Sequence, residues 1–403
     1  MGNGREICKL GDLVDLYSGG TPNKSILEYW DGSIPWISAK SMYEDFLSSS
    51  DLYISEAGLR AGSRLAKKGS ILLLTRGSGL FNRIPVCWTL SDVAFNQDVK
   101  NIKSKDEGIV MSQYLFYWLY AHKSDISAIL ETTGIGAGKI DTERLLSMSV
   151  LLPGISEQEQ IIRAIKPFFD IISLNNRINH NLEEQAQALF KSWFIDYDPF
   201  KDGDFIDSEL GKIPTGWRVR SLGDVTEEMR SKVGFRQDVK VLSPITTGQL
   251  LLSEEYFTKQ VFSESISKYL IVKPCDFAYN PARVNIGSIG KNEYGFDGCV
   301  SPVYVVFRCE SGYDLFFDLY RRTDSFKNEV VSRASGGVRQ TLGYKDFSLI
   351  KLVYPPKVVV VMFNEIYGHL LKEISHCSEE NNFLTEQRDI LLPKLMSGEV
   401  SIY

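Results

Sequence analysis

The chain holds little of what common enzymatic sites are built from. Its four histidines are scattered at positions 122, 180, 369 and 376, and no Ser–His–Asp spacing can be read from them. Its six cysteines, Cys8, Cys87, Cys275, Cys299, Cys309 and Cys377, form no C-x-x-C and no Cys/His helical pair. That excludes the usual zinc patterns and a disulfide frame, and reduced thiols are expected. No apolar run nears the roughly 20 residues a membrane span needs. The N-terminus, Met1-Gly2-Asn3-Gly4-Arg5-Glu6, lacks a signal-peptide core, so a cytoplasmic location is expected. An excess of positive charge is missing too: 45 Lys and Arg stand against 51 Asp and Glu, a net charge of −6. The acidity is uneven. Residues 156–210 carry 5 basic against 11 acidic side chains, whereas residues 211–356 carry 20 against 16. Nucleic-acid binding by local basic faces is therefore compatible with the acidic total, but strong non-specific binding is not.

Three motif-like stretches fail on inspection. Gly134-Ile135-Gly136-Ala137-Gly138-Lys139 looks like a phosphate cradle, but a P-loop needs glycine at position 133 and Ser or Thr at 140, where this chain has Thr133 and Ile140. Tyr279-Asn280-Pro281-Ala282 lacks the second proline and final aromatic of the amino-methyltransferase tetrad. Asp98-Val99-Lys100 and Asp238-Val239-Lys240 echo a nuclease D-x-K without an upstream acid.

What the chain does have is a long periodic stretch from Ser156 to about Asp198. Ser156 followed by Glu159 reads as a capping box. Core-type positions then recur at steps of four and three: Ile161, Ile165, Phe168, Ile172, Asn175, Asn179, Leu182, Ala186, Leu189 and Trp193. That is the a/d seam of a coiled coil. Pro167 falls inside it and predicts a kink. The C-terminus supplies the partner. Leu182 falls on Leu384, and Asn179 on Asn381, at one common shift of 202 residues, which carries the seam onto Phe363, Tyr367, Leu370, Ile374, Cys377, Asn381, Leu384, Arg388, Leu391 and Leu395. Leu10-Gly11-Asp12 likewise recurs as Leu222-Gly223-Asp224. A repeat of about 200 residues is a duplicated domain rather than a solenoid. Between the helical stretches lie short apolar runs such as Ser70–Thr75, Val93–Ile102, Ser147–Leu152 and Val300–Phe307, which read as strands. Polar seam residues Asn175, Asn179 and Asn381 are placed to fix the helical register.

Leu174-Asn175-Asn176-Arg177-Ile178-Asn179, Ala188-Leu189-Phe190-Lys191-Ser192-Trp193-Phe194 and Asp196-Tyr197-Asp198-Pro199 resemble the central region of specificity subunits of type I restriction–modification enzymes. Ile34-Pro35-Trp36-Ile37, Asn96-Gln97 and Ile213-Pro214-Thr215-Gly216-Trp217 fit the same family, and the resemblance runs the length of the chain. The lead into the second helix, Pro355-Pro356-Lys357-Val358, departs from the family's usual proline-glutamate-glutamine.

The resemblance implies an α+β fold: two similar mixed α/β target recognition domains, separated by two long antiparallel coiled-coil helices in a pseudo-twofold internal repeat. The expected division is 1–155 and 199–356 for the recognition domains and 156–198 and 357–403 for the helices. It implies a non-catalytic subunit that reads an asymmetric bipartite double-stranded DNA target. Two methyltransferase subunits would dock on it, and restriction or translocase subunits would join through the complex. S-adenosylmethionine, ATP and Mg would belong to those partners. No catalytic or metal-binding residue is assigned in this chain. Arg and Lys donate to guanine, and Asn and Gln pair with adenine, in the major groove. On that basis Lys40, Arg76, Asn82, Arg83 and Lys139 are the DNA-contact candidates of the first domain, and Arg283, Asn285, Arg339 and Gln340 those of the second. The aromatic group Phe190, Trp193, Phe194 and Tyr197 is the candidate docking face. Two other readings stay open: a stand-alone endonuclease or DNA methyltransferase with degenerate motifs, and a scaffold with two protein-binding globules.

Overall fold

The computed structural model describes residues 5–134, 136–256, 262, 263, 265–334 and 341–401. Its longest elements are two helices, Ile155–Phe194 and Lys357–Ser397, of 40 and 41 residues. At 1.5 Å per residue each is about 60 Å long. The chain forms two compact units, Met1–Ile178 with His376–Tyr403, and Asn179–Ser375. Each unit takes in one globule and a part of both long helices.

The two globules repeat one strand plan. In the first unit the antiparallel strands Val14–Ser18, Val99–Ser104, Ile71–Leu74 and Val86–Thr89 lie in that order, and Phe46–Leu47 adds in parallel at the edge. In the second unit the order is Thr226–Glu228, Val305–Cys309, Phe277–Tyr279 and Ile289–Lys291. Each unit has a second sheet with one parallel pair, Ile34–Ile37 with Val93–Phe95 and Lys240–Pro244 with Gly298–Val300. The run Val93–Ile102 is not one strand, as the apolar pattern suggested. It breaks where buried Asn96 turns the chain from one sheet to the other: its Oδ1 accepts from the Asp98 and Val99 N–H groups, each at 3.1 Å. Val300–Phe307 breaks in the same way, at Ser301–Tyr304.

Before each long helix the chain forms a two-stranded ribbon with the start of its own globule: Glu6–Lys9 with Ser149–Leu152, and Arg218–Ser221 with Lys351–Tyr354. The repeated Leu-Gly-Asp follows the first strand of each ribbon and has a physical reason. Leu10 and Leu222 are fully buried. A Cβ at Gly11 would stand 3.2 Å from Leu146, and one at Gly223 would stand 3.0 Å from Ser348, so only glycine lets these turns close on the neighbouring helix. The aspartate then caps the turn. Asp224 accepts from the Ser221 N–H at 2.9 Å, a bond that holds its carboxyl below the usual range.

The first long helix begins at Ile155, so Ser156 lies inside its first turn and is not the cap. The Gly154 carbonyl accepts the first N–H groups instead. Gln158, fully buried, locks this end: it accepts from Met111 N–H and donates to the Ile109 and Pro153 carbonyls, each at 2.9 Å. The helix runs on through Pro167, whose side chain is exposed.

In the first unit the two helical segments run antiparallel. Asn175 donates to Asn381 Oδ1 at 3.0 Å and to Glu380 at 2.7 Å, and Asn381 donates to Asn176 at 2.8 Å. Further along, Arg388 is 5% exposed and lies over the rings of Tyr120 and Phe169, 4.7 and 4.8 Å from their centroids. Phe169, one residue beside the seam position Phe168, is the deeper of the two and packs on Phe46, Phe116, Tyr117 and Tyr120.

In the second unit the helical segments meet through Phe363, which is fully buried among Phe190, Trp193 and Phe194. Below them, helix Asp314–Tyr320 contributes Phe316 to the same cluster and buries Asp318. Asp318 accepts from Arg321 at 2.6 and 3.0 Å and from Arg322 at 2.8 Å. Burial alone would raise its carboxyl, but Arg321, Arg322 and Lys291 outweigh that and hold it below the ordinary value.

Two outcomes follow from this packing. Phe363→Ala is expected to destabilise the protein by about 3–5 kcal/mol in urea unfolding, while Met362→Ala, on the exposed face, should stay within about 0.5 kcal/mol. The folded-state pKa of Asp318 lies below its unfolded value. Its contribution is therefore present above about pH 4 and lost as pH falls through the lower folded value. Asp318→Asn should cost about 3–5 kcal/mol at neutral pH and flatten the acid limb of a stability-against-pH curve. An unchanged acid limb would remove Asp318 from that role.

Candidate nucleic-acid interface

In the first globule the loop from Ile71–Leu74 to Val86–Thr89 carries most of the candidates. It opens with the short strand Arg76–Gly77, turns through the 3-10 helix Ser78–Phe81, and returns past Asn82 and Arg83. Arg76–Gly77 pairs with Gly138–Ile140, which pairs in turn with Leu130–Thr132. The register sets Lys139 opposite Arg76. Opposed side chains share one face with their Cβ atoms roughly 5 Å apart, and like charges there repel. Both side chains are exposed, and among the described residues neither has a hydrogen bond or ion pair. An external anion relieves that repulsion.

The glycine-rich segment thus belongs to a hairpin: it returns as the strand Gly138–Ile140, and a helix begins only at Thr142. Thr133 closes the tip: its N–H donates to the Ala137 carbonyl at 2.8 Å, and its Oγ1 accepts from the Ala137 N–H at 3.1 Å. Gly138 is tight, since a Cβ would stand 3.1 Å from Leu80 and 3.3 Å from the Gly77 carbonyl. That glycine seats the hairpin on the Ser78–Phe81 turn.

Arg83 is engaged within the chain itself. Its Nη1 donates to the Tyr43 carbonyl at 2.7 Å and its Nη2 to the Met42 carbonyl. These bonds engage the guanidinium with the chain's own turn, the one that follows Lys40. Arg83 is therefore a brace that sets the Lys40 turn beside Asn82, and Lys40 and Asn82 remain exposed.

In the second globule Arg283 and Asn285 occupy the topologically equivalent loop, between Phe277–Tyr279 and Ile289–Lys291. Asn280 organises it by accepting from the Ala282 N–H at 3.0 Å. Gly287 closes it at φ 95°, where a Cβ would also meet the Thr246 carbonyl at 2.5 Å. Arg283 is exposed and lines a cavity of about 330 Å³ with Asn280, Ser243, Tyr269 and Tyr304. Asn285 is half-buried inside the turn Val284–Ile286. Arg339 and Gln340 lie outside the described residues.

Sequence reasoning missed Phe81 and Ile286. They end the equivalent short helices of the two loops and are 47% and 57% exposed. Apolar side chains at such tips suit contact with a thymine methyl or a base step. The sequence signal was faint: one large apolar residue after a buried one, in a loop otherwise polar or glycine-rich.

The docking assignment needs correcting. Phe190 and Phe194 lie in the core of the second unit, 3% and 6% exposed. Trp193 packs 5.8 Å from Phe363, and Tyr197 packs 5.4 Å from Trp217. Aromatics at a helix end next to a globule bury each other before they meet a partner. The exposed apolar side chains of the long helices are others: among them are Val358, Val361, Met362 and Ile366 in the second unit and Ile171, Leu174 and Ile178 in the first, where Phe383 and Ile390 are exposed as well. Their spacing places each set on one helix face.

Among the described residues, no cluster of three or more His, Cys, Asp or Glu is placed to hold a metal. No described helix is long and apolar enough to cross a membrane.

A duplicated globule with exposed basic loops, braced by paired long helices, defines a two-headed recognition protein. Residues 3–184 match the type I restriction modification DNA specificity domain. The type I restriction enzyme MjaIX specificity subunit of Methanocaldococcus jannaschii is 27% identical over 98% of this chain and 94% of its own length. The EcoR124I/EcoR124II specificity subunit of Escherichia coli is 31% identical over 46% of this chain and 45% of its own. The fold is similar to a solved S subunit of a type I restriction-modification system from M. genitalium, with a TM-score of 0.55 and 14% identity over 98% of this chain and 97% of that one. Along nearly its whole length the chain is similar to specificity subunits of type I restriction enzymes. The relatives are named for specificity, the recognition role within a restriction enzyme.

The two arginines of the first loop should separate cleanly. Arg83→Ala is expected to lower stability by about 1–2 kcal/mol, because it frees two carbonyls and loosens a turn. Arg76→Ala with Lys139→Ala should leave unfolding within about 0.5 kcal/mol while weakening DNA binding in a gel-shift titration. If both variants unfold alike and bind alike, the roles drawn here are wrong.

Proposed function

We propose that this chain reads an asymmetric, bipartite double-stranded DNA target, one half-site per globule. The observation that carries the reading is the repeated loop. Two globules with one strand plan present the same connection at the same place, and the side chains on it differ: Arg76, Phe81, Asn82 and Lys139 in one, Arg283, Asn285 and Ile286 in the other. An identical scaffold with different reading residues supports two different half-sites. Arg339 and Gln340 join the second set as sequence candidates.

The chain docks two methyltransferase subunits, and restriction or translocase subunits join through them. The exposed apolar faces around Val358–Ile366 and Ile171–Ile178 are the docking candidates, in place of the buried Phe190 group. S-adenosylmethionine, ATP and Mg belong to the partners. The seam residues Asn175, Asn179 and Asn381 act on register.

The test is a methylation map of DNA from cells that carry the partner subunits, with and without this chain. A new asymmetric two-part motif is expected. No change in methylation would favour the scaffold reading, and methylation by the purified chain alone would favour a stand-alone enzyme. Adding one heptad to both long helices should widen the unread gap by about three base pairs, since seven residues rise about 10 Å. A gap of unchanged length would remove the helices from the measurement.

A further inference from the structure

Comparing the two units where the globule meets the long helices shows a place filled in one and open in the other. In the first unit Phe169 and Arg388 occupy it, with Arg388 over the rings of Tyr120 and Phe169, and the remaining space is about 30 Å³. The shift of 202 residues carries Phe169 onto Leu371 and Arg388 onto Ala186. Both replacements are smaller, and the second unit has a cavity of about 370 Å³ lined by Ala186, Leu371 and Ile374. That is within the usual size range of small-molecule sites.

Polar groups in this cavity have donors to spare. Lys291 is 8% exposed and lines the cavity; its ammonium has two long ion pairs, to Asp314 at 3.8 Å and Glu293 at 4.0 Å, and no hydrogen bond among the described residues. Tyr367, 3% exposed, has no hydrogen bond to its hydroxyl among the described residues. Arg322 gives one N–H to Asp318. Arg321, by contrast, is fully engaged with Asp318 and the Ile289 carbonyl. A buried ammonium without hydrogen bonds is costly unless something satisfies it. Glu183 and Glu293 also line the cavity, but both are exposed, where water and salt screen them. Deeper in, Asp318 and Asp314 offset two of the three cations Lys291, Arg321 and Arg322, which leaves one net positive charge at the bottom of the site.

We propose that this cavity binds a small organic anion, a carboxylate or phosphate head on a compact apolar body. The head accepts hydrogen bonds from Lys291, Tyr367 and Arg322. The body rests on Ala186, Leu319, Leu371 and Ile374. The site is separate from the loops assigned to DNA, and it does not rest on that assignment.

The full-length chain is titrated by calorimetry with three probes: inorganic phosphate, AMP and 3-methylbutanoate. Saturable binding of AMP or 3-methylbutanoate below about 1 mM is expected, and which of the two binds identifies the head group. Inorganic phosphate, lacking a body, should bind at least tenfold more weakly. Lys291→Met should weaken the preferred probe at least tenfold, and Tyr367→Phe severalfold. Ala186→Leu, which fills the floor and leaves the charges in place, should abolish binding with thermal stability kept or raised; it serves as the second variant should Lys291→Met fail to fold. Absence of saturation by all three probes overturns the proposal. So does binding that persists in Ala186→Leu, or tighter binding of bare phosphate than of AMP.

Discussion

Each long helix has an apolar side too wide to be covered by another helix alone, and aromatic rings from a globule cover the remainder. In the first unit this falls to Phe169, which meets Phe46, Phe116, Tyr117 and Tyr120. In the second it falls to Phe316 of the globule, which meets Phe190 and Phe194 of the long helix. Most helical stability in proteins comes from such packing and little from propensity. Because each globule grips both helical segments of its own unit, folding a globule and orienting its helices are one event. The ribbons before the helices reinforce this. Arg5, at the start of the first ribbon, donates to the Leu395 and Met396 carbonyls at 3.0 and 2.9 Å and pairs with Glu157 at 2.7 Å. One guanidinium thus ties the end of one helix to the beginning of the other within the first unit, where a cation also complements the carbonyl end of the helix.

The globules show how a duplicated scaffold can diverge without losing its plan. Their main strands keep the same neighbours and share one equivalent parallel pair, and the Leu-Gly-Asp turn is held by the same contact in both. Divergence is concentrated in connections. The loop of Arg76–Arg83 is braced by an arginine on two carbonyls, whereas its counterpart is closed by Gly287 and an Asn280 turn. Two unrelated solutions to the same bend leave different side chains pointing outward. A recognition surface can then change with little effect on the core, since loop positions contribute little burial.

The helices were legible because the three-four spacing repeats over many turns and recurs in the second half at a constant offset. The seam residues are all buried or half-buried. Phe169, Phe190 and Phe194 are deeply buried as well, however, and each lies beside the seam. A period of 3.5 locates the face toward the other helix; it cannot show that a globule covers the adjacent flank. The same gap explains the misplaced docking group, since Phe190 and Phe194 look like a sticky end until Phe316 and Phe363 are brought to them. Strand breaks at Asn96 and Ser301 escaped because apolar runs continue across them while the chain changes sheets. Arg83 was unreadable for another reason. An arginine in a polar loop reads as a contact residue unless one knows which carbonyls lie within reach, and Met42 and Tyr43 are forty positions away in the chain.

The polar layer of the first unit bears on why two long helices settle at a single offset. An apolar seam repeats every seven residues, so a slip of one heptad would re-bury much the same surface. Asn175, Asn176, Glu380 and Asn381 do not allow that exchange. In the observed register Asn175 meets both Glu380 and Asn381, and Asn381 meets Asn176. A slip by one heptad carries Asn175 away from these groups and leaves its buried amide unsatisfied, at about 1–3 kcal/mol. Half-buried Asn381 loses its partners at the same time. The layer is thus less stabilising than leucines would be at the same positions, yet more selective.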